Sequence, residues 1–161
     1  MKDLAKLFLT IYLLGHSNDP NVGVSKIDPL VEKINKVRKE NNLEPLIQKE
    51  KLSKSAASKA KDMTNKDYWS HLNPNGKTPW EFIEESNYKY ENAGENLAKN
   101  FTNNDEMIQA WMNSPTHREI LLSKLYKEMG TGSDGKNTVL HVGTQKYKKP
   151  TILDFLMGKL K

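Results

Sequence analysis

The order of helix and strand signals constrains the fold of this chain more than any single motif does. Amphipathic helical patterns precede and flank a few short strand-like segments, which we place at residues 91–98, 126–132 and 138–147. These segments do not alternate regularly with helices, as they would in a doubly wound parallel sheet. The pattern therefore predicts an α+β fold.

Several helix starts carry recognisable capping chemistry. Asp28-Pro29 places an acid at the N-cap and proline at the first helical position, and Thr78-Pro79-Trp80-Glu81 has the form of a capping box. Helices are also predicted over about 49–65, from 104 and from 114. The helix over 49–65 buries a stripe of mostly small residues, which suits the close approach of another element: Leu52, Ala56, Ala60 and Met63.

Length and composition limit the classes of protein to consider. The chain has 161 residues, enough for the core of one domain and too few for two, and no cysteine, which excludes disulfides and thiolate metal ligands. The net charge is +5, but the only arginines are Arg38 and Arg118, and the lysines alternate with acidic residues as on a solvated face. We therefore expect no nucleic-acid partner.

The two ends of the chain differ from its middle. An apolar run over residues 7–15 follows a short charged start, and it is too short to span a bilayer, which takes about 20 residues. Leu13-Leu14-Gly15 resembles the start of a lipoprotein cleavage site, with His16 where the lipidated cysteine would stand. We predict an export-like segment and linker over 1–26, a domain over 27–149 and an amphipathic tail over 150–161. The alternative for the first segment is a short helix packed on the domain.

Two histidines and one glutamate stand in polar, turn-rich contexts and are candidates for one site. They are His71, Glu95 and His117. Two imidazoles and a carboxylate supply three zinc ligands with one position open, and Glu95 can instead orient a histidine through a hydrogen bond. The first turn of a helix favours the neutral form of His117. The alternative is a buried hydrogen-bond network that fixes loops.

Other polar and aromatic residues are assigned structural roles. His141 is predicted to pack within its strand, and Trp69, Trp80 and Trp111 are predicted to belong to the core. Ser114, before proline at a helix start, is first an N-cap.

Five sequence blocks, in this order, resemble the CAP superfamily (cysteine-rich secretory, antigen 5, pathogenesis-related-1) in its shorter bacterial form. The blocks are SHLNP (70–74), GKTPW (76–80), AGENLA (93–98), AWMNSPTHR (110–118) and EMGTG (128–132). The resemblance spans about 30–147 and implies a three-layer α-β-α sandwich. In that family two histidines and two glutamates line a central cavity. Matching positions here are His71, Glu95 and His117, whereas Ser114 occupies the place of the second glutamate.

The resemblance allows three functions. We favour a non-catalytic, extracytoplasmic binding module, secreted or at the cell envelope, that touches the membrane only through its N-terminal segment. Its cleft, with His71, Glu95, His117 and Ser114, would hold a small apolar ligand (a lipid or sterol) or a divalent metal such as zinc on His71 and His117. The alternatives are a metal-assisted hydrolase with Glu95 as base and a surface scaffold that binds host or envelope proteins, so enzymatic activity is left open.

Overall fold

A computed structural model of the chain describes residues 27–146. The predicted export-like segment and the amphipathic tail lie outside these residues. The helices are α1 (Pro29–Glu40), α2 (Glu50–Asn65), α3 (Pro79–Glu85), α4 (Asn104–Asn113) and α5 (Pro115–Leu122). The strands are β1 (Ile47–Gln48), β2 (Tyr90–Lys99), β3 (Glu128–Asp134) and β4 (Asn137–Gln145).

The four strands form one sheet in the order β1-β3-β4-β2. The hairpin of β3 and β4 is antiparallel, β2 pairs antiparallel with β4, and the two-residue β1 pairs parallel with β3. Within the described sheet, β1 and β2 are therefore the edge strands. Alternate residues of β2 face opposite sides of the sheet, so Glu95 shares a face with Leu97 and not with Asn96.

Helices cover both faces of the sheet. On one face α1, α4 and α5 bury Ile34, Trp111 and Leu121 against Leu140 and Val142 of β4. On the other face, the small residues of α2 pack on Leu97 and Val139, and α3 adds Ile83 beside Leu52. The α+β, three-layer α-β-α sandwich expected from the resemblance is thus confirmed.

The small stripe of α2 meets two glycines of β3. A methyl group added to Gly130 would lie 2.0 Å from the main-chain nitrogen of Ser53, and one added to Gly132 would lie 2.2 Å from that of Ala57. The helix backbone therefore rests directly on the strand backbone. The predicted close approach is confirmed, and its partner is β3.

The predicted side-chain caps are present at two helix starts, and at a third the N-cap residue makes no side-chain cap bond. Asp28 accepts from the main chain of Leu30, and Thr78 and Glu81 form the reciprocal capping box. Ser114 stands at the N-cap of α5 but makes no side-chain cap bond; its hydroxyl lies 3.3 Å from that of Thr116.

Two of the three tryptophans do not belong to the core. Trp111 is buried, as predicted, but Trp69 is 45% and Trp80 is 39% exposed. Trp69 lies in the loop before α3, and Trp80 lies in the first turn of α3 outside its buried residues, which are Pro79, Phe82 and Ile83. No helix within residues 27–146 combines the length and the apolar character that a bilayer crossing requires.

Candidate functional site

Glu95 is the centre of a hydrogen-bonded group of side chains on the α2 face of the sheet. It stands opposite His141 in the register of β2 and β4. Its Oε2 accepts from Nε2 of His141 at 2.9 Å, and its Oε1 accepts from Nδ1 of His71 at 2.6 Å. The carboxylate side chain is 1% exposed. Both oxygens are therefore engaged by imidazoles.

The chain of hydrogen bonds continues from His141 into α2. The Oγ atom of Ser55 lies 2.7 Å from Nδ1 of His141 and 2.8 Å from the carbonyl oxygen of Leu52. This order of serine, histidine and carboxylate is that of a nucleophilic triad. However, Ser55 and His141 are both buried between α2 and the sheet, where no substrate reaches the hydroxyl. The serine thus anchors the imidazole of His141.

The charge of Glu95 is maintained by its neighbours. Burial raises the pKa of this carboxyl, but hydrogen bonds from His141 and His71, with the charges of His141 and Lys59, outweigh burial and hold the pKa below its ordinary value. Glu95 is consequently a carboxylate at neutral pH.

His71 presents the exposed end of the group. It lies in the loop between α2 and α3, and 57% of its side chain is accessible. Because Nδ1 is directed to Glu95, the opposite ring nitrogen, Nε2, is the atom available to a ligand. A buried carboxylate therefore fixes the orientation of an accessible imidazole.

His117 lies near this pair without joining its hydrogen bonds. It occupies the first turn of α5, and its carbonyl oxygen accepts from Nδ2 of Asn96 at 2.9 Å. Burial lowers the pKa of His117, and the charge of His71 lowers it further. The neutral form of His117, which its position in the helix predicts, is thus favoured. The largest cause is burial.

A pocket of about 360 Å³ opens beside His71. Its floor is the Ala93-Gly94-Glu95 segment of edge strand β2, and its walls come from the loop and start of α3 on one side and from α5 on the other. The lining residues are His71, Leu72, Thr78, Pro79, Trp80, Ala93, Gly94, Glu95 and Ile120. His71 and Glu95 are thus brought together at the pocket, whereas His117 and Ser114 are not among the residues that line it.

The donor set does not fit the three-ligand zinc site considered from the sequence. Both oxygens of Glu95 are bonded to imidazoles, which leaves Nε2 of His71 and the ring of His117 as the metal-binding atoms of the predicted set. Within residues 27–146, no group of three or more histidines, cysteines or acids is placed to hold a metal ion. In this arrangement Glu95 orients His71 through a hydrogen bond.

Three members of the site were not predicted from the sequence as functional: Ser55, Lys59 and His141. His141 could have been found by aligning β2 with β4, because residues directly opposite each other in an antiparallel pair share a face. The polar stretch around Ser55 and Lys59 has no comparable signal, since serines and lysines abound on the exposed faces of this chain.

Two curated proteins are similar to this chain in sequence. The chain is 38% identical over 103 residues to the uncharacterized protein YkwD of Bacillus subtilis, covering 64% of this chain and 40% of that protein. It is 28% identical over 107 residues to the uncharacterized membrane protein YlbC of the same species, covering 66% of this chain and 31% of YlbC. The chain thus spans less than half the length of these relatives.

Solved structures show the same fold. An extracellular protein containing an SCP domain from Bacillus anthracis superposes with a TM-score of 0.69 at 26% identity, over 72% of this chain and 39% of that one. An outer surface protein from Borrelia burgdorferi superposes with a TM-score of 0.66 at 26% identity, over 73% of this chain and 90% of that one. The model of the CAP, or cysteine-rich secretory protein, family matches residues 31–147. The chain therefore belongs to the CAP family.

Proposed function

We propose that this domain is a non-catalytic, extracytoplasmic binding module that holds a small apolar molecule with one polar group. The observation that carries the proposal is the pocket over β2, whose volume of about 360 Å³ lies within the range of small-molecule sites. Leu72, Pro79, Trp80 and Ile120 offer apolar contacts, and His71 stands at one end as the polar partner. The acyl chain of a lipid, with its head group at His71, has this chemistry.

The state of Glu95 supports binding over hydrolysis. A general base must lie within hydrogen-bond reach of the proton that it removes. Both oxygens of Glu95 accept hydrogen bonds from imidazoles, and its side chain is almost wholly buried. Its role in the proposal is to hold His71 in one orientation for the ligand.

Location outside the cytoplasm is supported by two observations. The first 15 residues have the charged and apolar pattern of an export signal. The similar solved proteins from Bacillus anthracis and Borrelia burgdorferi are described as extracellular and outer-surface proteins, respectively. We extend that location to this chain as part of the proposal.

Replacing Trp80 by alanine is expected to weaken ligand binding about tenfold, because truncating an aromatic wall residue removes 1 to 2 kcal/mol of contacts, as an order of magnitude. The probe is cis-parinaric acid, whose fluorescence rises in apolar surroundings, titrated into the full chain. Its methyl ester tests whether the polar group matters. Trp69→Ala is the matched control, since Trp69 is similarly exposed but does not line the pocket. Equal affinities for wild type and the Trp80→Ala variant would contradict the proposal.

Zinc is expected to bind only weakly, because two imidazoles are fewer ligands than zinc sites ordinarily supply. The measurement is a calorimetric titration of zinc into the wild type and into a His71→Ala/His117→Ala double variant. We expect no one-site binding with a submicromolar dissociation constant in either. Tight binding that disappears in the double variant would instead establish the histidine pair as a metal site, with a rearranged Glu95.

A further inference from the structure

Lys59 is a fully buried lysine beneath the loop that carries His71. It belongs to α2 and is 0% exposed. Its ammonium group donates to the carbonyl oxygen of His71 at 2.7 Å, to that of Ser70 at 3.0 Å and to the hydroxyl of Tyr68 at 3.1 Å. An ammonium group has three N–H donors, and all three are used here.

The surroundings of Lys59 compensate its charge. The ammonium nitrogen lies 4.8 Å from the centre of the Tyr68 ring and 5.4 Å from that of Phe82, both within cation–π range. Burial lowers the pKa of Lys59 overall, and the carboxylates of Glu95 and Asp62 offset only part of that effect. Because an apolar side chain would fill the same space without this desolvation cost, what distinguishes lysine here is its set of hydrogen bonds.

Those hydrogen bonds act on a part of the loop with few other attachments. Within residues 27–146, the carbonyl oxygens of Ser70 and His71 accept hydrogen bonds from Lys59 alone. The later part of the loop is held separately, through the side chain of Asn73, which binds the main chain of Lys77 and the carboxylate of Asp62. The position of the His71 backbone thus depends on the ammonium below it.

We propose that Lys59 is a positioning residue, which clamps the main chain at Ser70 and His71 so that the His71 imidazole stays against Glu95 at the polar end of the pocket. The clamp acts from α2, the helix that also holds His141 through Ser55. One helix therefore positions both imidazoles of the site. The ligand-binding consequence rests on the proposed function, whereas the effect on His71 does not.

The test compares Lys59→Met with wild type by nitrogen–proton NMR of the histidine rings at one fixed pH. In wild type, we expect the Nδ1–H of His71 to be protected by its hydrogen bond to Glu95. In the variant we expect that signal to be lost through exchange with water, whereas the Nε2–H of the fully buried His141 persists and reports an intact fold. Tyr68→Phe is the control, because it removes one acceptor of Lys59 but leaves both carbonyl bonds; its His71 signal should remain.

A His71 signal that stays unchanged in the Lys59→Met variant would overturn the proposal. If the variant does not fold, as the loss of the His141 signal would show, Lys59→Leu, which likewise has no donor for the two carbonyl oxygens, takes its place with the same two outcomes. In a second arm, the affinity for cis-parinaric acid is expected to fall about tenfold in Lys59→Met, the scale on which supporting residues affect a site. If wild type binds no probe, the proposed function fails while the NMR result still decides the role of Lys59.

Discussion

Replacing Glu95 by glutamine is expected to lower the free energy of unfolding by about 3 kcal/mol, because it removes one partner of a buried, hydrogen-bonded charge group. The amide cannot accept from both His71 and His141, and it leaves Lys59 with less compensating charge. The measurement is urea unfolding of both proteins near neutral pH. Glu85→Gln is the matched control: Glu85 also forms an ion pair, with Lys77, but it is exposed, so its loss should cost less than about 0.5 kcal/mol.

Acid should reduce the difference between wild type and the Glu95→Gln variant. The pKa of Glu95 lies below its ordinary value of 4.5 in the folded state, so its contribution to stability is complete above that value and is lost as the pH falls through the folded pKa. Wild type should therefore approach the stability of the variant as the pH falls below 4.5 and through the folded-state pKa of Glu95. A difference that stays constant over the whole acid range in which both proteins remain folded would show that the carboxylate charge is not what stabilises the site.

The Gly130→Ala substitution is expected to destabilise the domain by about 3 kcal/mol or more, at the upper end of what overpacking a core costs. The added methyl group would lie 2.0 Å from a main-chain nitrogen and 2.3 Å from a main-chain carbon of α2, and backbone atoms cannot turn aside as a flexible side chain can. The helix must shift as a unit, and it carries Ser55 and Lys59. We therefore also expect the NMR signals of His71 and His141 to move.

Thermal and urea unfolding of Gly130→Ala beside Ser58→Ala measure this effect. Ser58 is exposed on α2, so its replacement should change stability by no more than about 0.5 kcal/mol. If Gly130→Ala costs less than about 1 kcal/mol, the contact between α2 and β3 is looser than the distances at Gly130 indicate.

The fold and part of the site could be predicted from the sequence because they depend on local or repeated signals. Amphipathic periodicity and capping residues located the helices, and the small stripe of α2 indicated its close approach to another element. The family blocks placed His71, Glu95 and His117 in one cleft and allowed Glu95 to orient a histidine, but they did not indicate which one. These signals are carried by residue type and spacing, which a single chain displays directly.

The remainder of the site depends on which strands pair and on which side chains α2 turns inward. His141 joins Glu95 only because β4 lies next to β2, although β3 comes between them in sequence. In the sequence, Lys59 cannot be distinguished from the many solvent-facing lysines of this chain. It is buried because the loop after α2 folds back over it. Ser114, placed in the cleft by its match to a family position, makes its side-chain contact with Thr116 instead.

The position of β2 at the edge of the sheet links the pocket to self-association. An edge strand of ten residues presents main-chain groups that can pair with a second copy of the chain, and proteins ordinarily cover or interrupt such edges. Here the indole N–H of Trp111 donates a hydrogen bond to the carbonyl oxygen of Leu97 on this edge. The His71 loop and α5 lie on either side of residues 93–95. We therefore expect the His71 loop and α5 to hinder edge-to-edge pairing of a second copy at residues 93–95, in addition to lining the pocket of the proposed function.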